Sequence, residues 1–90
     1  MNVLLITYDL NKETKRPPIV AEINKIGKSR VRLSESSYAV ATSKSTETVY
    51  KDLKRILDED DVLYVITLKE PCDGRGPEET IDWLDEHLSS

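Results

Sequence analysis

Val3-Leu4-Leu5-Ile6-Thr7-Tyr8-Asp9 opens the chain, and Val62-Leu63-Tyr64-Val65-Ile66-Thr67-Leu68 repeats its character near the other end. Both runs are short, rich in β-branched residues and apolar at odd and even positions alike. That is how a strand covered on both faces reads. Between them lies a second pair of strand-like runs. Arg30-Val31-Arg32-Leu33 alternates polar and apolar, as an edge or half-buried strand does, and Tyr38-Ala39-Val40-Ala41-Thr42 follows across the turn-like Ser34-Glu35-Ser36-Ser37.

Two helical patterns fill the gaps. After a polar loop from Leu10 to Arg16, Pro17 and Pro18 suit a helix entrance, where a missing N–H costs no bond. Ile19, Val20, Ile23 and Ile26 then follow at helical spacing, and Gly27 marks a stop. Ser45 or Thr46 can cap the next helix, whose stripe is Val49, Leu53, Ile56 and Leu57. The acidic run Asp58 to Asp61 opposes the helix dipole and should end that helix early. A loop from Lys69 to Gly76 leads to Pro77 and a last helix, with Glu78 and Glu79 in its first turn and Ile81, Leu84 and Leu88 as its inward stripe.

The order β-α-β-β-α-β, then α, predicts an α+β fold: the ferredoxin-like split βαβ with an additional C-terminal helix, a single domain over residues 1–90. The first and third strands should be central and the second and fourth at the edges, with right-handed crossovers. Two helices cover one sheet face only, yet the first and fourth strands are apolar on both. The second face needs a cover, either the terminal helix or a second copy of the chain. Patterning alone thus predicts a homodimer.

Composition narrows the function classes. The 90 residues carry 13 basic and 17 acidic side chains, a net charge of −4, which argues against indiscriminate coating of DNA or of an anionic membrane. No apolar run approaches the ~18 residues of a membrane span. No basic and apolar leader precedes the first strand, and Cys72 is alone, so a reducing cytoplasm is the expected location. Charge is uneven: residues 1–45 carry eight basic and four acidic groups, whereas residues 46–90 carry five and thirteen. Lys12, Lys15 and Arg16 cluster in the first loop, and Lys25, Lys28, Arg30 and Arg32 around one turn. These seven are the candidate contacts to RNA or DNA phosphates, or to the acidic half of another subunit, and equally fit a solvated rim.

Asp9 ends the first strand on the face of Val3, Leu5 and Thr7, where a carboxylate could ligate a hard cation or accept loop amides. His87 has no orienting partner by spacing and reads as an exposed residue at a helix end. Cys72 precedes an aspartate rather than a basic group, and Gly74-Arg75-Gly76 lacks the phosphate-loop arrangement and reads as a turn. Trp83 sits about 200° around an ideal helix from Ile81. If the apolar stripe faces the domain, Trp83 faces away and offers a packing site to another chain or a second protein; if the helix lies in a groove, both of its sides are buried.

Thr7-Tyr8-Asp9-Leu10 at the end of a first strand, with Ser34-Glu35-Ser36-Ser37-Tyr38-Ala39-Val40 across a hairpin, resembles the Cas2-like superfamily. That superfamily includes the CRISPR-associated Cas2 proteins and the VapD-type toxins, and the nearest likeness is to its small SinR-like branch. The opening from Met1 to Lys12 and the closing Asp82-Trp83-Leu84 carry it further. The resemblance implies a ferredoxin-like homodimer in which Asp9 is the metal ligand and Ser36 or Ser37 the hairpin serine. Family members act as metal-dependent nucleases, as ribonucleases of toxin systems, or as non-catalytic scaffolds between integrase subunits on DNA. Two expectations follow. One is a homodimeric interaction or scaffold protein, associated with nucleic acid and without robust catalysis. The other is an endonuclease or endoribonuclease that uses Mg2+ or Mn2+ held by Asp9 from each subunit at the twofold.

Overall fold

The computed structural model describes residues 1–88; residues 89–90, included in the single-domain reading, lie outside the described residues. Strand β1 spans Asn2–Asp9, and a 3-10 turn at Glu13–Lys15 leads into helix α1, Arg16–Ile26. The hairpin of β2 (Ser29–Ser34) and β3 (Ser37–Thr42) follows, then helix α2 (Thr46–Lys54), strand β4 (Val62–Thr67) and helix α3 (Glu78–Leu88). The strands form one sheet in the order β2-β3-β1-β4, with every neighbouring pair antiparallel. This is the ferredoxin-like arrangement with an added terminal helix, with β1 and β3 central as expected.

The core lies between the sheet and the first two helices. Leu4, Ile6 and Tyr8 of β1 and Tyr38 and Val40 of β3 point to it, and Ile19, Ile23, Ile26, Val49 and Leu53 close it from the helices. Ser45 caps α2 by accepting the Thr48 amide at 3.2 Å, as its position ahead of the apolar stripe predicts. The helix ends at Lys54, short of Ile56 and Leu57, which still pack against the core from the following turn. The stop thus falls three residues short of the acidic run that begins at Asp58, earlier than the apolar stripe implies.

The passage from α1 to β2 is tight. Lys28 N donates to Ala41 O at 3.2 Å, and Thr42 Oγ1 donates to Ile26 O at 2.8 Å. A Cβ on Gly27 would stand 2.3 Å from Ala41 O and 2.6 Å from Val40 Cγ1. Gly27 has an ordinary extended backbone, so its need is for space rather than for an unusual φ.

Helix α3 lies on the second sheet face, at the β2 side. Trp83 Nε1 donates to Ser29 Oγ at 2.8 Å, and Ser29 stands beside Ala41 and Val3 on that face. The half-buried positions of α3 are Thr80, Trp83, Leu84, His87 and Leu88, while Ile81 is exposed. The inward stripe is therefore rotated from the expected Ile81/Leu84/Leu88, and Trp83 turns toward its own sheet rather than outward. The indole N–H needs an acceptor, and an amphipathic ring covers more of the sheet than isoleucine does.

Two substitutions test this packing. Leu53→Ala, at a fully buried position, should cost about 2–5 kcal/mol in urea unfolding. Gly27→Ala should cost about 1–3 kcal/mol, because backbone and not a flexible side chain must yield.

Candidate functional site

Asp9 ends β1 opposite Val62 of β4, on the second face with Val3, Leu5 and Thr7. It is exposed, and among the described residues its carboxylate has no hydrogen-bond or ion-pair partner. A hard divalent cation takes six or more oxygen ligands. Among the described residues no three His, Cys, Asp or Glu side chains come together to hold a metal. The donors that one chain offers at Asp9 therefore do not fit Mg2+ or Mn2+ by themselves.

The basic residues separate into two groups. Lys15 is not free for phosphate. Its Nζ donates to Asp58 Oδ2 at 2.5 Å, Asp61 Oδ2 at 2.7 Å and Asn11 Oδ1 at 2.8 Å, and only 13% of its side chain is exposed. Asp61 also accepts the Asn11 amide at 2.8 Å and the Asp58 amide at 2.8 Å, and its side chain is fully covered. The Lys15 hydrogen bond and those two amides hold Asp61 down at about pKa 2. Partial desolvation pulls Lys15 down, but its two carboxylate partners outweigh it and its pKa is raised. The acidic turn after α2 thus clamps the loop after Asp9.

Arg16 is likewise engaged. It donates to Glu13 Oε2 at 2.8 Å and to Glu35 O, and stacks 5.7 Å from the Tyr8 ring centre. The Glu13 hydrogen bond and charge raise its pKa, and burial raises that of Tyr8 against the pull of Arg16. Tyr8 OH and Arg32 Nη2 also donate to Glu35 O, at 3.4 and 3.5 Å, so one hairpin carbonyl gathers three donors.

The remaining cations are open. Lys12, Lys25, Lys28 and Arg30 are exposed and pair with no carboxylate among the described residues, and Arg32 bonds carbonyls only. Arg30 and Arg32 occupy alternate positions of the edge strand β2 and so share one side of it, about 6.7 Å apart along the strand, with Lys28 in the bend just before it.

His87 departs from the exposed helix-end reading: it is half-buried and stacked on Trp83, with ring centres 3.9 Å apart. Its Nδ1 lies 2.8 Å from Trp83 O, so this nitrogen carries the donated proton. Cys72 is an exposed free thiol, and Gly74 and Gly76 border open space.

What α3 leaves uncovered is the β4 border of the second face. Val62, Tyr64 and Ile66 are 42, 60 and 48% exposed, whereas Val3, Ala39 and Ala41 toward β2 are buried. Sequence spacing does not reveal the Lys15 partners, because Asp58 to Asp61 reads only as a helix-ending turn. Nor does it reveal Ser29, whose hydroxyl becomes a partner only once α3 folds back.

No family model matches the chain, and no curated protein matches it. Among solved structures it is similar to the crystal structure of a hypothetical protein, TT1823 from Thermus thermophilus, at 18% identity and a TM-score of 0.66. That likeness covers 84% of this chain and 92% of the other. It supports the fold alone. Among the described residues no helix is long and apolar enough to cross a membrane.

The clamp has a pH signature. A carboxyl held near 2 against an ordinary 3.8 contributes stability that is complete above about pH 4 and disappears as pH falls toward 2. Asp61→Asn should therefore lower stability at neutral pH and flatten the acid limb between those values. Urea unfolding from pH 2 to 7 measures both.

Proposed function

We propose that this chain is a small homodimeric interaction or scaffold protein of the Cas2-like kind, associated with nucleic acid and without robust catalysis. The observation that carries the reading is the exposed stripe Val62, Tyr64 and Ile66 on a strand that is otherwise packed into the fold. An apolar band at this position exposes surface that a second chain would remove from water. The row Lys28, Arg30 and Arg32 on the far edge supplies charges that can follow a phosphate backbone without reading bases.

The metal-dependent nuclease is the second reading, and the free, exposed carboxylate of Asp9 favours it. One such group cannot both neutralise a phosphate and orient water, so the Asp9 of a second subunit, with Mg2+ or Mn2+, would have to complete the site.

Sedimentation at micromolar concentration under reducing conditions should give twice the monomer mass. Labelled RNA and DNA incubated with Mg2+ or Mn2+ should stay intact. Metal-dependent cutting by the wild type that Asp9→Asn abolishes, with the dimer retained, would establish the nuclease instead. Binding should weaken in Lys28→Ala and Arg30→Ala, and each should lower the salt slope by about one if its cation meets a phosphate.

A further inference from the structure

The two edges of the sheet are built differently. Edge strand β2 carries Arg30 and Arg32, breaks its register at Arg32/Ser34, and has α3 lying across it. Charges, irregular register and a covering element are the devices that blunt an edge against strand pairing. Edge strand β4, Val-Leu-Tyr-Val-Ile-Thr, has none of them: no charge, no proline, no register break, and residues of high β propensity throughout.

The hydrogen-bond phase shows which β4 groups are open. Leu68 N donates to Val3 O at 2.8 Å, and the β1–β4 register runs from Leu4↔Thr67 to Asp9↔Val62. Bonded pairs alternate in an antiparallel ladder, so Val62, Tyr64 and Ile66 turn their backbone groups toward β1. Leu63, Val65 and Thr67 turn theirs outward, and among the described residues nothing bonds them.

We infer that two copies of this chain join edge to edge through β4, antiparallel about a twofold at Val65, into one eight-stranded sheet. This rests on the homodimer reading and specifies its geometry. Centring the axis on Val65 pairs the outward groups of Leu63 with those of the partner's Thr67, and Val65 with its own copy. On the second face Tyr64 then stands opposite the partner's Ile66, an aromatic and β-branched pairing of the kind that stabilises sheets. Just past the strand ends this register sets Asp61, already held by Lys15, opposite the partner's Lys69, and Asp60 opposite the partner's Glu70. On the helix side, a cavity of about 300 Å³ opens between Tyr50 and Leu57 and the start of β4 at Leu63, with the charged Lys54, Asp58, Glu59 and Asp61 completing its lining. A face-to-face stack fits less well, because α3 already occupies the β2 half of the second face. Edge pairing also places the two Asp9 carboxylates toward opposite ends of the joint, on the order of 20 Å apart, beyond the reach of a shared ion.

Residue-resolved amide exchange tests this, comparing concentrated protein with protein diluted until sedimentation shows monomer. The Leu63, Val65 and Thr67 amides should slow by at least about tenfold in the dimer, while the amides of β2 stay unchanged. Val65→Pro removes an outward N–H without touching the β1 ladder and should give a folded monomer. Should it fail to fold, Tyr64→Lys and the exchange data on the wild type decide. A dimer whose β4 amides do not slow, or one that survives in folded Val65→Pro, overturns edge pairing and leaves the homodimer standing. A monomer at every concentration overturns both.

Discussion

Strand β1 is the constraint on which the rest of the fold depends. Its even residues exchange backbone bonds with β3 and its odd residues with β4, so no polar backbone group along it is left over. The same alternation sorts its side chains. Leu4, Ile6 and Tyr8 seat both helices, while Val3, Leu5 and Thr7 form the floor of the second face. A one-residue slip would invert both assignments and put the core outside. Because Asp9 ends this strand, its exposure on the second face follows from the same phase.

Around that strand the polar groups act mainly as fasteners. Lys15 and Asp61 join the loop after β1 to the turn before β4, and Arg16 joins the start of α1 to the carbonyl of the β2–β3 turn. Both fasteners lie at the end of the sheet where Asp9 sits. Charge committed there is charge withdrawn from any ligand, which leaves the row along β2 as the open cationic surface. The partly buried Lys15 pair also holds its geometry better than an exposed surface pair, since its carboxylate is shielded from water and bonded from three directions.

The architecture was legible because the two-sided apolar runs at Val3 and Val62 and the stripe Val49/Leu53 leave little choice of period. The cap at Ser45 was equally readable, since capping is local, whereas α2 stops at Lys54, before the Ile56 and Leu57 that the stripe assigns to it. Terminal helix α3 differs from its aliphatic pattern by a rotation: the pattern puts the stripe on Ile81, whereas Trp83 and His87 form the packed side. The engagement of Lys15 is hidden in the sequence for a different reason. Whether a lysine is free depends on carboxylates far along the chain, and Asp58 and Asp61 reach it only after β4 pairs with β1. Asp9 was placed correctly on its face, but its lack of partners could be seen only in three dimensions.

The blunted β2 edge has a consequence for valence. A sheet that can accept strands on both sides can add copies without limit, which is the geometry of fibrils. With β2 broken in register and lying under α3, this chain has one side left for strand addition. Any assembly that uses that side closes on itself at two copies and presents blunted edges at both outer borders. The arginines and the register break that weaken β2 as a strand are thus what would keep the molecule finite in size.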